Sequence, residues 1–219
     1  MAGSVKAEAR LGSRTTLQSF ILIRHAETLS NSRARWHGDS DEPISPQGRA
    51  EAEVAALRLR SSGAHPRLVV CSGLLRARQT AEIFAKAVGL HDVVSDSALG
   101  ERDMGDWKGL APTEVEARWP GHLAAWEAGA VEGPPNGETD TAVTLRALDV
   151  LAKFTELGEG PVLVVTHGGV IRSLRKAKGL PNIAVPHLGG CWTRLHGSAS
   201  DWEVGSEVVF GDPDSRPKT

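Results

Sequence analysis

The sequence predicts an α/β fold built around a parallel sheet. Three observations carry this: short apolar runs without polar alternation, helical periodicities between them, and a length and composition suited to one globular domain. The runs are Phe20 to Ile23, Leu68 to Cys71 and Val162 to Val165. A continuous, largely β-branched run fits a parallel strand covered on both faces. Val93-Val94 is a weaker fourth strand, and Trp192 to Leu195 and Glu203 to Val209 read as edge strands of the same sheet. Between the runs, Thr80, Ile83, Phe84, Ala87 and Val88 share one helical face, as do Val143, Ala147, Val150, Leu151 and Phe154. Gly63, Gly89 and Gly179 come after helical stretches, where a helix end favours a residue tolerant of positive φ. The run Glu132 to Glu138, Glu-Gly-Pro-Pro-Asn-Gly-Glu, is a surface loop.

Composition narrows the function classes. With 219 residues the chain is expected to be one domain over 20–211, between a polar N-terminal tail (1–19) and a Pro/Asp/Ser/Lys tail (212–219). Lys plus Arg total 25 against 27 acidic residues, a net of −2, so no global field attracts nucleic acid or anionic membrane. No apolar run approaches the ~20 residues of a membrane span, and no secretory pattern opens the chain. Cys71 and Cys191 are the only cysteines, too few for a disulfide scaffold or a zinc site. A reducing, cytoplasmic setting is expected.

The segments just beyond the buried strands are more informative. The first strand runs into Arg24-His25-Ala26-Glu27-Thr28, the second into Ser72-Gly73-Leu74-Leu75-Arg76, and the third into Thr166-His167-Gly168-Gly169. Ligands of open parallel sheets bind outside the carboxyl ends of the strands. Arg24, His25, Arg76 and His167 would therefore meet at one rim. Two guanidiniums and two imidazoles suit a compact dianion such as a phosphoryl group. Gly168-Gly169, opening a helix, adds backbone amides aimed at the same place. His37, His65, His91, His122, His187 and His196 lack such companions and read as ordinary histidines.

These motifs resemble the histidine phosphatase superfamily, in the branch of cofactor-dependent phosphoglycerate mutases and fructose-2,6-bisphosphatases. The Arg-His-x-Glu-Thr signature is matched by Arg24, His25, Glu27 and Thr28, followed by Asn31; Ser72, Leu74, Arg76, Ala77, Gln79, Thr80 and Ala81 supply a second. Leu99-Gly100-Glu101 with Gly105, Trp107 and Gly109 supplies a third, completed by Gly137-Glu138 and His167-Gly168-Gly169. The resemblance implies a three-layer α/β/α sandwich around a mostly parallel sheet, phosphoglycerate mutase-like. It implies His25 as the nucleophile that becomes phosphohistidine, Arg24, Arg76 and His167 as the phosphoryl pocket, and Glu101 as proton donor, kept protonated by a bound phosphate. The plainer reading of Glu101 is a surface acid paired with Arg102. Asn31, His37, Gly38 and Gly168 are further substrate-binding candidates. His37 stands where family phosphatases usually show Gln, and either lines the entrance or only caps its loop. Arg102 is a candidate contact for a phosphoester that also bears a carboxylate.

Other chemistries fit less well. Cys71 and Arg76 have four residues between them, one fewer than a cysteine phosphatase needs. Asp39-Ser40-Asp41-Glu42 reads as a loop whose acids face water, and neither a Gly-x-Ser-x-Gly elbow nor a P-loop occurs. No metal or cofactor is implied, because cationic side chains occupy the place where magnesium would neutralise phosphate. Between Gly109 and Glu138 the connector is short and carries Ala125-Trp126-Glu127 where mutases carry adjacent arginines. The expected function is thus hydrolysis of a small phosphorylated metabolite, with phosphoryl transfer of the mutase type or non-catalytic phosphate binding as alternatives. An exposed edge strand near the C-terminus would permit a homodimer.

Overall fold

The computed structural model describes residues 17–30, 35–36 and 40–211. Six strands form one sheet: β1 (Leu17–Arg24), β2 (Leu68–Ser72), β3 (Val93–Asp96), β4 (Val162–Thr166), β5 (Gly189–His196) and β6 (Trp202–Val209). Their order is β3-β2-β4-β1-β5-β6. The first four are mutually parallel, while β5 and β6 run antiparallel to their neighbours. β1 starts at Leu17, so residues 17–19, expected in the tail, belong to the sheet. β5 was expected at an edge but lies between β1 and β6. Its near-alternating burial reflects antiparallel pairing, and Gly190 makes that pairing possible: a Cβ there would sit 1.9 Å from the carbonyl oxygen of Leu22. β3 is the other edge, which accounts for its weak apolar signal.

Among the described residues, six α-helices complete the architecture: α1 (Pro46–Ser61), α2 (Leu75–Val88), α3 (Pro112–Arg118), α4 (His122–Glu127), α5 (Asp140–Ala152) and α6 (Gly168–Ala177). Alternate residues of the central strands face opposite layers. Phe20, Leu22, Val162 and Val164 pack with Val143, Ala147, Leu151 and Leu174 of α5 and α6. Ile21, Ile23, Leu163 and Val165 pack with Ala52, Leu59, Ala81 and Phe84 of α1 and α2. The result is the expected three-layer α/β/α sandwich. Phe154, expected on the α5 face, lies beyond the helix end but still packs on that core. Gly63, Gly89 and Gly179 all have positive φ after their helices.

The connector between Gly109 and Glu138 shares a small core with the preceding turn, in which Trp107, Val115 and Trp126 pack beside Trp36 and Leu123. The 132–138 loop lies against the turn at 103–106 through Asp106 N–H to the Pro135 carbonyl and Glu138 N–H to the Asp103 carbonyl. The approach is close enough that a Cβ on Gly105 would lie 2.3 Å from the Pro135 oxygen. Among the described residues, no helix is long and apolar enough to cross a membrane.

Candidate active site

A cavity of about 190 Å³ opens at the carboxyl ends of the parallel strands. β1 delivers Arg24 and His25 to it, the first turn of α2 delivers Arg76, the loop after β3 delivers Glu101, and the start of α6 delivers Gly168 and Gly169. His167 is wholly buried behind this wall, its ring edge-on to His25 with centroids 5.1 Å apart.

The hydrogen bonds of His25 fix its tautomer. Its Nδ1 lies 2.7 Å from the Ala26 carbonyl, which can only accept, so Nδ1 carries the proton. The Nε–H of Arg76 donates to Nε2 at 3.2 Å, so Nε2 presents a lone pair. Burial holds the His25 pKa well below its ordinary value, and His167, Arg24, Arg76 and His187 reinforce that shift. His167 shares a 2.9 Å hydrogen bond with the Ser72 hydroxyl through Nε2, and its buried Nδ1 has no partner among the described residues. Burial lowers it to about 3, against the opposing pull of Glu101.

Arg24 donates to the Val185 carbonyl at 2.8 Å. Burial, opposed by Glu101, lowers it to about 10, with Arg172 and Arg76 acting in the same direction, so it stays cationic at neutral pH. Arg76 also reaches the Ser40 carbonyl. The 40–42 loop is therefore part of the site wall. Asp41 is exposed, as expected, and also accepts the Leu75 N–H at 2.5 Å at the start of α2, while Glu42 lines the cavity and accepts from Ser30 N–H. Asn31, His37 and Gly38 lie outside the described residues.

Glu101 is not a surface acid paired with Arg102. One carboxylate oxygen accepts the Arg102 backbone N–H at 2.8 Å, the other the Gly169 N–H at 3.3 Å. The amide expected to face phosphate thus serves the acid. Burial pushes the Glu101 pKa up, but His167, the Arg102 N–H, Arg172 and Arg76 outweigh it and hold it below the usual carboxylate range. Arg146 secures the same loop from α5, donating to the carbonyls of Ala98 and Gly100 while gripping both oxygens of Glu138.

Arg102, expected as a substrate contact, is committed elsewhere. It is 1% exposed, and its guanidinium bonds Asp140, Ser173 and the Glu138 carbonyl. A buried arginine needs such partners, and they occupy both terminal nitrogens, while its Nε has no partner among the described residues. Two residues missed in the sequence belong here. His187 packs against His25 with ring centroids 5.9 Å apart, and burial, then Arg24, lowers it to about 2. Antiparallel β5 starts at the rim where β1 ends, as shown by the Leu188 N–H bond to the Arg24 carbonyl. Arg172 lines the cavity one helical turn after Gly168. The i,i+4 spacing on a helix opening at His167 was a usable signal for it; His187 had none without the strand order.

Cys71 is buried and its thiol is pushed up to about 11, so it is not poised as a nucleophile. Among the described residues, no group of three or more His, Cys, Asp or Glu side chains could hold a metal ion.

Residues 20–206 match the profile of the histidine phosphatase superfamily (branch 1). A glucosyl-3-phosphoglycerate phosphatase of Mycobacterium tuberculosis is 35% identical over 201 residues, covering 85% of this chain and 87% of the relative. A 2,3-bisphosphoglycerate-dependent phosphoglycerate mutase of Methylobacterium radiotolerans is 33% identical over 175 residues, covering 77% and 82%. In three dimensions the chain is similar to a mycobacterial glucosyl-3-phosphoglycerate phosphatase solved in complex with VO3, with TM-score 0.74, 29% identity, and coverage of 88% of this chain and 99% of that one.

Proposed function

The chain belongs to branch 1 of the histidine phosphatase superfamily, and from that premise we propose that it hydrolyses small organic phosphomonoesters with His25 as the nucleophile. The observation that carries this reading is the tautomer of His25: Nδ1–H is tied to a carbonyl, and the Nε2 lone pair is held at the cavity by a cation that also attracts phosphate. In the first step Nε2 attacks phosphorus, the P–O ester bond breaks, and its electron pair leaves on the alcohol oxygen, which takes a proton from Glu101. In the second step water attacks phosphorus, the P–N bond breaks, its electron pair returns to Nε2, and Glu101 takes the proton of the water. Arg24 and Arg76 flank His25 and neutralise the phosphoryl oxygens, while His167, buried behind the wall with its Nδ1 unpartnered among the described residues, is the second imidazole of the pocket.

Mutase and phosphatase relatives match at similar identity. Hydrolysis is favoured here because the 109–138 connector contains a single arginine, the exposed Arg118, and folds onto its own tryptophans. It offers no second cationic clamp to hold an acceptor in place of water. By analogy with the mycobacterial relatives, the substrate class is a phosphorylated hydroxy acid. Acid-quenched protein mixed with a labelled phosphoester is expected to carry an acid-labile, base-stable adduct on His25. His25→Ala is expected to lose turnover by at least about a thousandfold. Retained phosphate release in that variant would rule out the mechanism, and conversion of 3-phosphoglycerate to its 2-isomer without phosphate release would establish the mutase reading.

A further inference from the structure

Ser72 belongs to the motif that carries Arg76, yet neither reaction step above uses it. It closes β2, is fully buried, and stands one residue beyond the pair that Cys71 makes with Val165 of β4, so the sheet register brings it to the turn at His167. Its hydroxyl oxygen accepts the Leu74 N–H at 3.2 Å and lies 2.9 Å from Nε2 of His167. A hydroxyl has one proton to give. The Leu74 N–H is itself a donor, so among the described residues the acceptor for that proton is Nε2. Burial lowers His167 to about 3, so near neutral pH the ring carries a single proton, which then sits on Nδ1. The reverse arrangement, with Nε2–H donating to Ser72, leaves more unmet: the buried hydroxyl proton has no acceptor and the buried Nδ1 lone pair has no donor.

We infer that Ser72 is a positioning residue of the reaction: its hydroxyl, fed by the Leu74 N–H, fixes His167 in the Nδ1–H tautomer, so that the ring beside the nucleophile offers an anionic phosphoryl group a proton rather than a lone pair. This rests on the phosphatase reading above. The two imidazoles, with centroids 5.1 Å apart, then share one tautomer but engage opposite nitrogens. In His25 the Nδ1–H is held by the Ala26 carbonyl and the Nε2 lone pair is left to attack; in His167 Nε2 is held by Ser72 and the N–H is left over. The other tautomer of His167 would set a second lone pair in the phosphoryl pocket and repel the oxygens that Arg24 and Arg76 attract. Helix α2 strengthens the relay. Leu74 is its N-cap residue, so the N–H that Ser72 accepts belongs to the positive end of the helix dipole and polarises the hydroxyl toward giving up its own proton.

NMR of protein labelled with 15N at histidine reads the tautomer directly, His167 being identified by the signals that vanish in His167→Gln. Without substrate, wild type should show a protonated Nδ1 and an unprotonated Nε2. A neutral histidine side chain in water favours Nε2–H, so Ser72→Ala should move the proton to Nε2. It should also weaken binding of inorganic phosphate, followed by titration calorimetry, by at least about fivefold. Ser72→Cys, which keeps a weaker donor near the same place, should fall between the two and carries the comparison if the alanine variant does not fold. A purely structural role would weaken phosphate binding without moving the proton. A wild-type ring protonated on Nε2 overturns the assignment with no variant needed, as does a Ser72→Ala ring still protonated on Nδ1 or a smaller loss of phosphate affinity. Failure of wild type to release phosphate from any ester would instead sink the phosphatase reading, while the tautomer would still decide on Ser72.

Discussion

Glu101 shows how a single side chain can be set by its surroundings against its expected state. Before substrate arrives, backbone amides and nearby cations favour its ionised form, yet donation to a leaving alcohol needs the proton. A bound dianion opposes that field, so the missing proton arrives with the substrate, whose second phosphate ionisation lies near pH 6. For alkyl phosphates, kcat/KM should therefore fall about tenfold per pH unit above roughly pH 6, whereas p-nitrophenyl phosphate, whose leaving group needs no proton, should show a flatter profile in the same buffers. His25 adds no acid limb near pH 6, because its pKa is held well below the ordinary histidine value. Gly169 is the steric counterpart. A Cβ there would lie 2.2 Å from a Glu101 oxygen, and only the flexible end of that side chain has to move. Gly169→Ala should keep the wild-type melting temperature within a few degrees but lose about a hundredfold or more on alkyl phosphates, with a smaller loss on p-nitrophenyl phosphate. Equal losses on both would show that the displaced group is not the proton donor.

At the scale of elements, the site is an agreement between pieces that the chain visits far apart. Ser45 caps α1 by accepting the Gly48 N–H, while its backbone N–H donates to the Glu27 carbonyl, so α1 is anchored to the segment carrying the nucleophile. Gly48 permits that docking, since a Cβ would lie 2.4 Å from the Glu27 oxygen. On the opposite face, the first residue of α5 joins the two helices and the acid loop: Asp140 pairs with Arg102 and with Lys176 of α6 at 2.6 Å, and accepts from the Trp126 indole at 3.2 Å. Removing the carboxylate leaves Arg102 buried without a counter-ion. Asp140→Ala should cost about 3–5 kcal/mol, read from urea midpoints, well above the cost of losing an exposed ion pair. A loss below about 1 kcal/mol would mean that water reaches Arg102 and that the network is not closed.

For the whole molecule, the concentration of neutral histidine and fixed cation at one rim is a liability in acid. His25, His167 and His187 all have folded pKa values depressed below the ordinary 6.5, with His167 near 3 and His187 near 2. The unfolded chain binds protons at these sites that the folded chain refuses. Their cost is absent above about pH 6.5 and grows as the pH falls, each site contributing a slope of up to about 1.4 kcal/mol per pH unit. Urea midpoints should thus be level from pH 7 to 8 and fall below about 6.5, with His187→Phe removing one proton from the dependence. A midpoint independent of pH down to 5 would contradict the burial of these rings. The same architecture protects the nucleophile, since the substrate meets a ring already neutral.

The sequence by itself determined the layers and most of the rim. Continuous apolar runs at Phe20, Leu68 and Val162, bounded by turn or helix signals, read as strands covered on both faces, and a parallel sheet gathers the residues at their carboxyl ends along one edge. Arg24, His25, Arg76 and His167 were legible for that reason, because the covalent order places each just beyond a strand, whereas Glu101 was legible through the resemblance to histidine phosphatases. The tertiary structure alone decided the rest. Which partners hold a guanidinium depends on neighbours remote in sequence, so Arg102 beside Glu101, though it lines the cavity, proved to be held by residues at 138, 140 and 173. His187 was invisible because its place beside His25 results from β5 entering the sheet antiparallel next to β1. Strand order is fixed by the packing of both faces at once, which no local pattern encodes.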